Sequence, residues 1–478
     1  MALELDSLEA PGAPRLRTGR PVGAIVIGED HSWSARRDDG TSYDGQGAFR
    51  RLDTGFWVNN LPFEESRQTF VGALARTVRS DGWWRMGCAD ILAEWGAAAL
   101  PVAGRANLLS LVYGRMSRML MSALELRDPE KADSDWSALC RAGSLATGIS
   151  TVFNSDSGHG LPLESEMIEH FDKARQTGIY VRTGEIPEEN IHLEWRFPRH
   201  AYVSRLMALD VPSSAIWKRA RRREGTSAAQ FLEEVIASAR PALMRAFVSP
   251  DDERDRDWIA AFASTGGGER SRFLPQELVA LKGVDMEIES ALVGEAWERP
   301  VMAEAFELIV RAAGGPHAAA LSWSAGLLLE NVLIAPHRAG RRKGDHVTGE
   351  SLWLSAMDRV LTLPLVRILD EHGARIVSAR SGRVQVSVPP VPEIVTAMMW
   401  AAWDAGAHVD LGTALRVRAE TGVDLPVDRS AFGGSDADFI HAAACHSGDR
   451  KSLWNLDGLH AMGEEERGRL LAETLGIV

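Results

Sequence analysis

The residues whose types and spacing come nearest to chemistry lie late in the chain, where Asp436 and Asp438 precede His441 and His446. Imidazole nitrogens and carboxylates are the usual ligands of zinc, but a site on one helix wants two His at four-residue spacing, or a matching second pair. His441 and His446 stand five apart. The spacing therefore predicts structural histidines and no metal. Overlapping them, Gly433-Gly434-Ser435-Asp436-Ala437-Asp438 joins a Gly-Ser turn to an Asp-x-Asp pair, the groups with which two carboxylates hold magnesium beside phosphates. Such a site needs its carboxylates on a strand well after the turn. Here they follow at once, so the segment reads as the N-cap of a helix starting at Ser435 or Asp436.

Elsewhere the chain carries no GxxxxGK[ST] phosphate loop, no strand followed by GxGxxG, no HExxH, no GxSxG and no kinase signature set. These absences remove the enzyme classes that a single sequence reveals most directly, though not a site assembled from residues distant in sequence. No cofactor and no catalytic residue is assigned. Two basic clusters remain as candidate contacts for phosphate or for a carboxylate-rich partner: Lys218, Arg219, Arg221, Arg222 and Arg223, and then Arg338, Arg341, Arg342 and Lys343. Charge blocks of this length also serve as solvated faces or as intersubunit partners of acidic runs such as Asp251-Asp252-Glu253.

The composition limits how far those clusters reach. With a net charge of -13, the chain is unsuited to wrapping a phosphate backbone, since that affinity comes from counterion release around a basic surface. Any nucleic-acid contact is local. Cys88, Cys140 and Cys445 lie far apart and form neither a CxxC pair nor an even framework, which fits a reducing compartment. Neither a signal-peptide core nor an apolar run of membrane-spanning length is present, so the expected location is intracellular, cytoplasmic or in a virion, with no membrane partner.

The elements that would position these residues are read from periodicity. Val22 to Ile27 and Ser32 to Arg36 predict a hairpin, preceded by an extended arm before Arg20. Helical periodicity follows from Glu64, with Phe70, Leu74 and Val78 on one face, and again over Asn107 to Leu124, whose Met-rich stripe reads as core. A loop at Asn154 to Pro162 separates a helical lobe from a short helix over Glu164 to Arg175 and β-like character from Gly178 to Phe197. Ser227 with Gln230 makes a capping box, and further helices are expected at Met302 to Ala313 and Ala318 to Leu333. The last unit is a helix over Glu350 to His372, a hairpin of Ala374 to Ala379 and Arg383 to Val388 around Ser381-Gly382, a helix over Pro392 to Ala405 and a strand around Ala414 to Arg418. The expected class is mainly α with minor β (α+β), divided as 1–60, 61–155, 156–345 and 346–478.

From Asp210 onward the order of elements resembles the palm and fingers of family A DNA polymerases. On that resemblance Thr177-Gly178 and Leu206 to Ile216, with Asp210, match the Thr-Gly-Arg segment and the Asp-bearing strand. The fingers pattern RxxxKxxxFxxxYG falls on Arg254, Trp258, Phe262 and Gly266-Gly267, and the His-Asp-Glu turn on Ser381-Gly382-Arg383. The groups that the chemistry needs are missing at Trp258, Gly266 and Gly382, so the resemblance implies a non-catalytic relative. The Gly433 to Asp438 segment is similar in composition, though not in spacing, to the metal site of nucleotidyl transferases.

Three classes of function follow. Elimination favours a structural protein that assembles with itself, such as a viral capsid enclosing a nucleic-acid genome, of the kind found in double-stranded RNA viruses. A second class is a polymerase-like protein that binds nucleic acid through the two basic clusters without synthesis. An enzyme built from unrecognised residues is the third.

Overall fold

The computed structural model of the chain describes residues 22–37, 41–47, 56–59, 101–141, 165–174, 178–181, 186–213, 216–249, 257–265, 268–281, 283–312 and 349–423, with single positions elsewhere. Two compact units are formed: Met1–Ser155 with Glu304–Val332 and Val409–Val478, and Asp156–Ala303 with Leu333–His408.

In the first unit the expected N-terminal hairpin is present as β1 (Val22–Ile27) and β2 (Ser32–Arg37). β3 (Ser42–Gln46) extends it into an antiparallel meander, and β4 (Phe56–Asn59) adds to β1 in parallel, giving the order β3-β2-β1-β4. Ala24, Ile25 and Val26 are wholly buried because helix α1 (Val102–Arg127) packs across β1 and β2. The Met-rich stripe belongs to this helix, and its Met119, Leu120 and Ala123 are core residues as expected. Gly45 on β3 is required by packing, since a Cβ there would lie 2.4 Å from the Trp33 indole. Helix α2 (Ala132–Arg141) lies against α1.

The second unit opens with α3 (Ser165–Ala174), β5 (Ile179–Tyr180), β6 (Ile191–Arg196), α4 (Arg199–Met207) and β7 (Val211–Pro212). There follow β8 (Trp217–Arg221), α5 (Ala228–Ala237), β9 (Ala242–Ser249), α6 (Asp257–Phe262), β10 (Ser264–Thr265), β11 (Gly268–Glu269) and β12 (Arg272–Phe273). Next come α7 (Pro275–Ala280), β13 (Asp285–Gly294) and β14 (Trp297–Glu298); α8 (Val301–Ala312) begins at the end of this segment and from Glu304 belongs to the first unit. The run closes with α9 (Gly349–Glu371), β15 (Arg375–Arg380), β16 (Arg383–Val388) and α10 (Pro392–Asp404).

Two antiparallel four-stranded sheets organise this unit, with orders β12-β9-β13-β8 and β5-β15-β16-β6. α5 packs on β13 in the first, and α9 backs the β15–β16 hairpin in the second. The expected helix, hairpin and helix over Glu350 to Ala405 are all found. Ser381 and Gly382 both have φ of 67°, the left-handed pair that a two-residue type I′ turn demands.

Two expectations are corrected. With five sheets among the described residues, the chain is a mixed α/β protein rather than mainly α. The pairing of β9 with β13 accounts for much of the difference: strands of Ala, Met, Leu and Glu owe their state to long-range pairing and burial rather than to propensity. The strand expected at Ala414 to Arg418 is instead helix α11 (Leu411–Thr421). Asp410 caps it by accepting from the Thr413 N–H at 2.8 Å, and Gly422 ends it with φ of 76°, which outweighs the strand-like alternation of Leu415-Arg416-Val417-Arg418. The segments around Phe70 to Val78 and Ala318 to Leu333, the loop at Asn154 to Pro162 and the arm before Arg20 lie outside the described residues.

The capping box is present as read: the Ser227 hydroxyl accepts from the Gln230 N–H and the Gln230 side chain accepts from the Ser227 N–H, both at 3.1 Å. Ser227→Ala is expected to lower stability by about 1 kcal/mol, read as a small fall in the denaturant midpoint at unchanged slope.

Candidate nucleic-acid interface

β8 is an edge strand, hydrogen-bonded on one side only, to β13. Strand alternation sends Trp217, Arg219 and Arg221 to one face and Lys218 and Ala220 to the other, and Lys218, Arg219 and Arg221 are all exposed. Arg222 and Arg223 continue the run into the turn before α5. Within the first basic cluster, Lys218 is engaged with Glu295 at 2.9 Å and holds that carboxyl below its usual value. Among the described residues no carboxylate lies within ion-pair distance of Arg219, Arg221, Arg222 or Arg223. Charged side chains also protect an edge strand from pairing with another sheet, so the cluster has a structural use in addition to any binding. The second cluster, Arg338, Arg341, Arg342 and Lys343, lies outside the described residues, as do Asp436, Asp438, His441 and His446.

Register places more guanidinium on the same sheet than the sequence run suggested. Arg221 opposes Ser290 on β13, Ser290 opposes Arg245 on β9, and Arg245 opposes Arg272 on β12, so the four form one cross-strand row. Arg219 stands two residues along from Arg221 on the same face. Arg245 is paired with Glu289 at 2.9 Å, and its guanidinium stacks 5.6 Å from the Phe247 ring. Helix α3 covers part of this face, where Phe171 meets Trp217 edge-on at 5.4 Å and His170 meets Arg272.

The turn that the polymerase resemblance singled out has a different construction. Its two backbone N–H groups, of Ser381 and Gly382, donate to the carboxylate of Asp358 at 2.6 and 3.1 Å, and the Tyr202 hydroxyl donates to the same carboxylate. Asp358 is 2% exposed. Arg380 and Arg383 flank the turn on β15 and β16, and Arg383 lies 3.3 Å from Glu194. Asp210 makes no hydrogen bond or ion pair with this turn among the described residues. Tyr202, the fourth residue of α4, packs on Gly382, whereas Asp210 follows the C-terminal end of that helix, about 7.5 Å further along it, and leads into β7 in another sheet. Leu206 to Ile216 is therefore a helix end and a two-residue strand rather than one Asp-bearing strand.

Of the expected fingers helix, the described part is α6, in which Trp258 donates its indole N–H to Asp370 at 2.9 Å. Trp258 is thus a core residue; Arg254 and Gly266-Gly267 lie outside the described residues. No group of three or more His, Cys, Asp or Glu suited to a metal ion occurs among the described residues. Nor is any described helix long and apolar enough to cross a membrane.

No family model matches this sequence, and no curated protein matches it. Among solved structures, phi29 DNA polymerase complexed with single-stranded DNA is similar at a TM-score of 0.38 and 8% identity, over 77% of this chain and 80% of that one. Phi29 DNA polymerase complexed with primer-template DNA gives a TM-score of 0.36 at 10% identity, with the same coverage. Similarity at this level assigns neither a fold nor an activity.

Proposed function

We propose that the protein binds nucleic acid without carrying out nucleotidyl transfer. The observation that carries this reading is the exposed edge strand β8 and the turn after it, where Arg219, Arg221, Arg222 and Arg223 have no carboxylate partner among the described residues. Guanidinium groups present donors in a fork that fits phosphate oxygens, and a local patch of them gives backbone affinity even on an acidic protein. The catalytic half of the reading rests on the Ser381-Gly382 turn. In-line phosphoryl transfer with two metals needs paired carboxylates free to ligate. At this turn the carboxylate is Asp358, already accepting from three donors, and the flanking side chains are Arg380 and Arg383.

Fluorescence anisotropy with short single-stranded and duplex oligonucleotides tests the reading between 50 and 200 mM salt. Binding is expected to weaken steeply with salt. Changing Arg219, Arg221, Arg222 and Arg223 together to Ala should reduce the slope of log K against log salt by about 3. An unchanged slope in that variant would overturn the interface. Light scattering addresses the self-assembling shell: large closed particles formed by the purified protein would displace the present reading.

A further inference from the structure

Arg272 is the anomaly of the row. It is 7% exposed, yet no carboxylate among the described residues lies within ion-pair distance of its guanidinium. Its Nη1 donates to the Ser271 carbonyl at 2.9 Å, and Nε and Nη2 both reach Nδ1 of His170, at 3.3 and 3.1 Å. For Nδ1 to accept, the imidazole must be neutral with its proton on Nε2. A buried cation is thus held by a carbonyl and a neutral ring.

Its charged surroundings make matters worse. Arg245 stands directly opposite on β9, and like charges at opposed positions of a sheet oppose pairing. Burial first, then the charges of Arg245 and Arg219, pull the Arg272 guanidinium below its usual value, and Glu289 and Glu169 only partly compensate. Elsewhere in this unit buried arginines have a carboxylate in contact: Arg270 and Arg359 share Glu277. Arg245 stands opposite Arg272, and Arg219 lies on the same face of the sheet two strands beyond Arg245; Arg272 is buried, the other two are open to solvent, and the one close carboxylate, Glu289, is on Arg245.

We propose that Arg272, Arg245 and Arg219 form a binding site for a phosphate group. A tetrahedral oxyanion supplies acceptors to several guanidiniums at once and offsets their mutual repulsion. As a contact to the backbone of nucleic acid, the site rests on the function proposed above. As a phosphate site it stands on Arg272, and a free phosphate or nucleotide would satisfy it equally.

The experiment measures inorganic phosphate binding by calorimetry and thermal shift, against sodium chloride at matched ionic strength. Arg219→Gln/Arg245→Gln is the main variant, because both residues are open to solvent and their loss should leave folding intact. Wild-type protein is expected to show saturable stabilisation, and the double variant an affinity lower by about tenfold or more. A response no larger than that to chloride, or one undiminished in the variant, overturns the site, since general salt effects would persist there. Competition with a single-stranded oligonucleotide separates the sources. Mutual displacement supports a backbone phosphate. Oligonucleotide binding that ignores phosphate overturns the backbone assignment and leaves the function proposed above on β8 alone. Phosphate binding with no oligonucleotide binding overturns that function and supports a site for a free phosphate or nucleotide.

Discussion

Glu277→Gln is expected to lower the free energy of unfolding by about 3–5 kcal/mol, because it strands two buried cations at once. Glu277 is 0% exposed; its Oε1 accepts from Arg359 Nε and Nη2 at 3.0 and 2.6 Å, and its Oε2 from Arg270 Nη2 at 2.5 Å. The same Oε2 takes the Leu274 N–H at 2.9 Å, which ties the start of α7 to the triad. Burial alone would raise the Glu277 carboxyl, but Arg270 and Arg359 outweigh it and hold the group below its ordinary value. Burial pushes Arg270 down to about 10 despite Glu277, so it stays charged at neutral pH.

The sign of the pH dependence follows from the depressed carboxyl. Its contribution is fully present above the unfolded value of about 4.3 and is lost as pH falls through the lower folded value. Denaturant unfolding at neutral pH reads the first effect, and a loss under about 1 kcal/mol would contradict it. Acid titration reads the second: the wild-type protein should lose stability below about pH 4, and the Gln variant should lack that component. Arg270→Met/Glu277→Leu/Arg359→Met removes every charge of the triad and should cost less than the single change, since it leaves no unpaired ion.

What the sequence disclosed and what it hid divide along the range of the interactions involved. The β15–β16 hairpin was legible because Ser381-Gly382 between alternating apolar residues is a local signal, and the α5 cap because Ser227 and Gln230 sit within one turn. The basic run on β8 was legible as composition, but its place on an exposed edge was not, since that depends on β13 pairing from far along the chain. For the same reason the placing of Arg272, Arg245 and Arg219 on one face had no trace in the sequence: the three belong to separate strands, and only the pairing of β12, β9, β13 and β8 brings them to one sheet. The Glu277 triad closes across α7 and α9 and was equally hidden. Polymerase-like order failed at Asp210, where a helix end stood in place of the strand that the resemblance required.

Gly382→Asp, which would put a carboxylate at the turn where the polymerase pattern asks for one, is expected to destabilise the protein by several kcal/mol rather than to create a metal site. A Cβ at Gly382 would lie 2.8 Å from the Tyr202 ring, and the residue's φ of 67° adds strain for any side chain. The new carboxylate would also meet Asp358, which already accepts from the Ser381 and Gly382 N–H groups and the Tyr202 hydroxyl. Asp358→Ala attacks the turn from the other side. By leaving the buried Ser381 and Gly382 amides without their acceptor, while the Tyr202 hydroxyl keeps the Asp358 carbonyl at 3.1 Å, it should cost about 2–4 kcal/mol and speed hydrogen exchange at the Ser381 and Gly382 amides above that of the β16 core. The Tyr202–Gly382 contact makes the two effects coupled, so the double variant should fall short of their sum. Because β8 belongs to a different sheet, folded Asp358→Ala protein should bind oligonucleotides as the wild type does. A tolerated Gly382→Asp variant that gained magnesium-dependent nucleotidyl transfer would instead make this turn a dormant catalytic site.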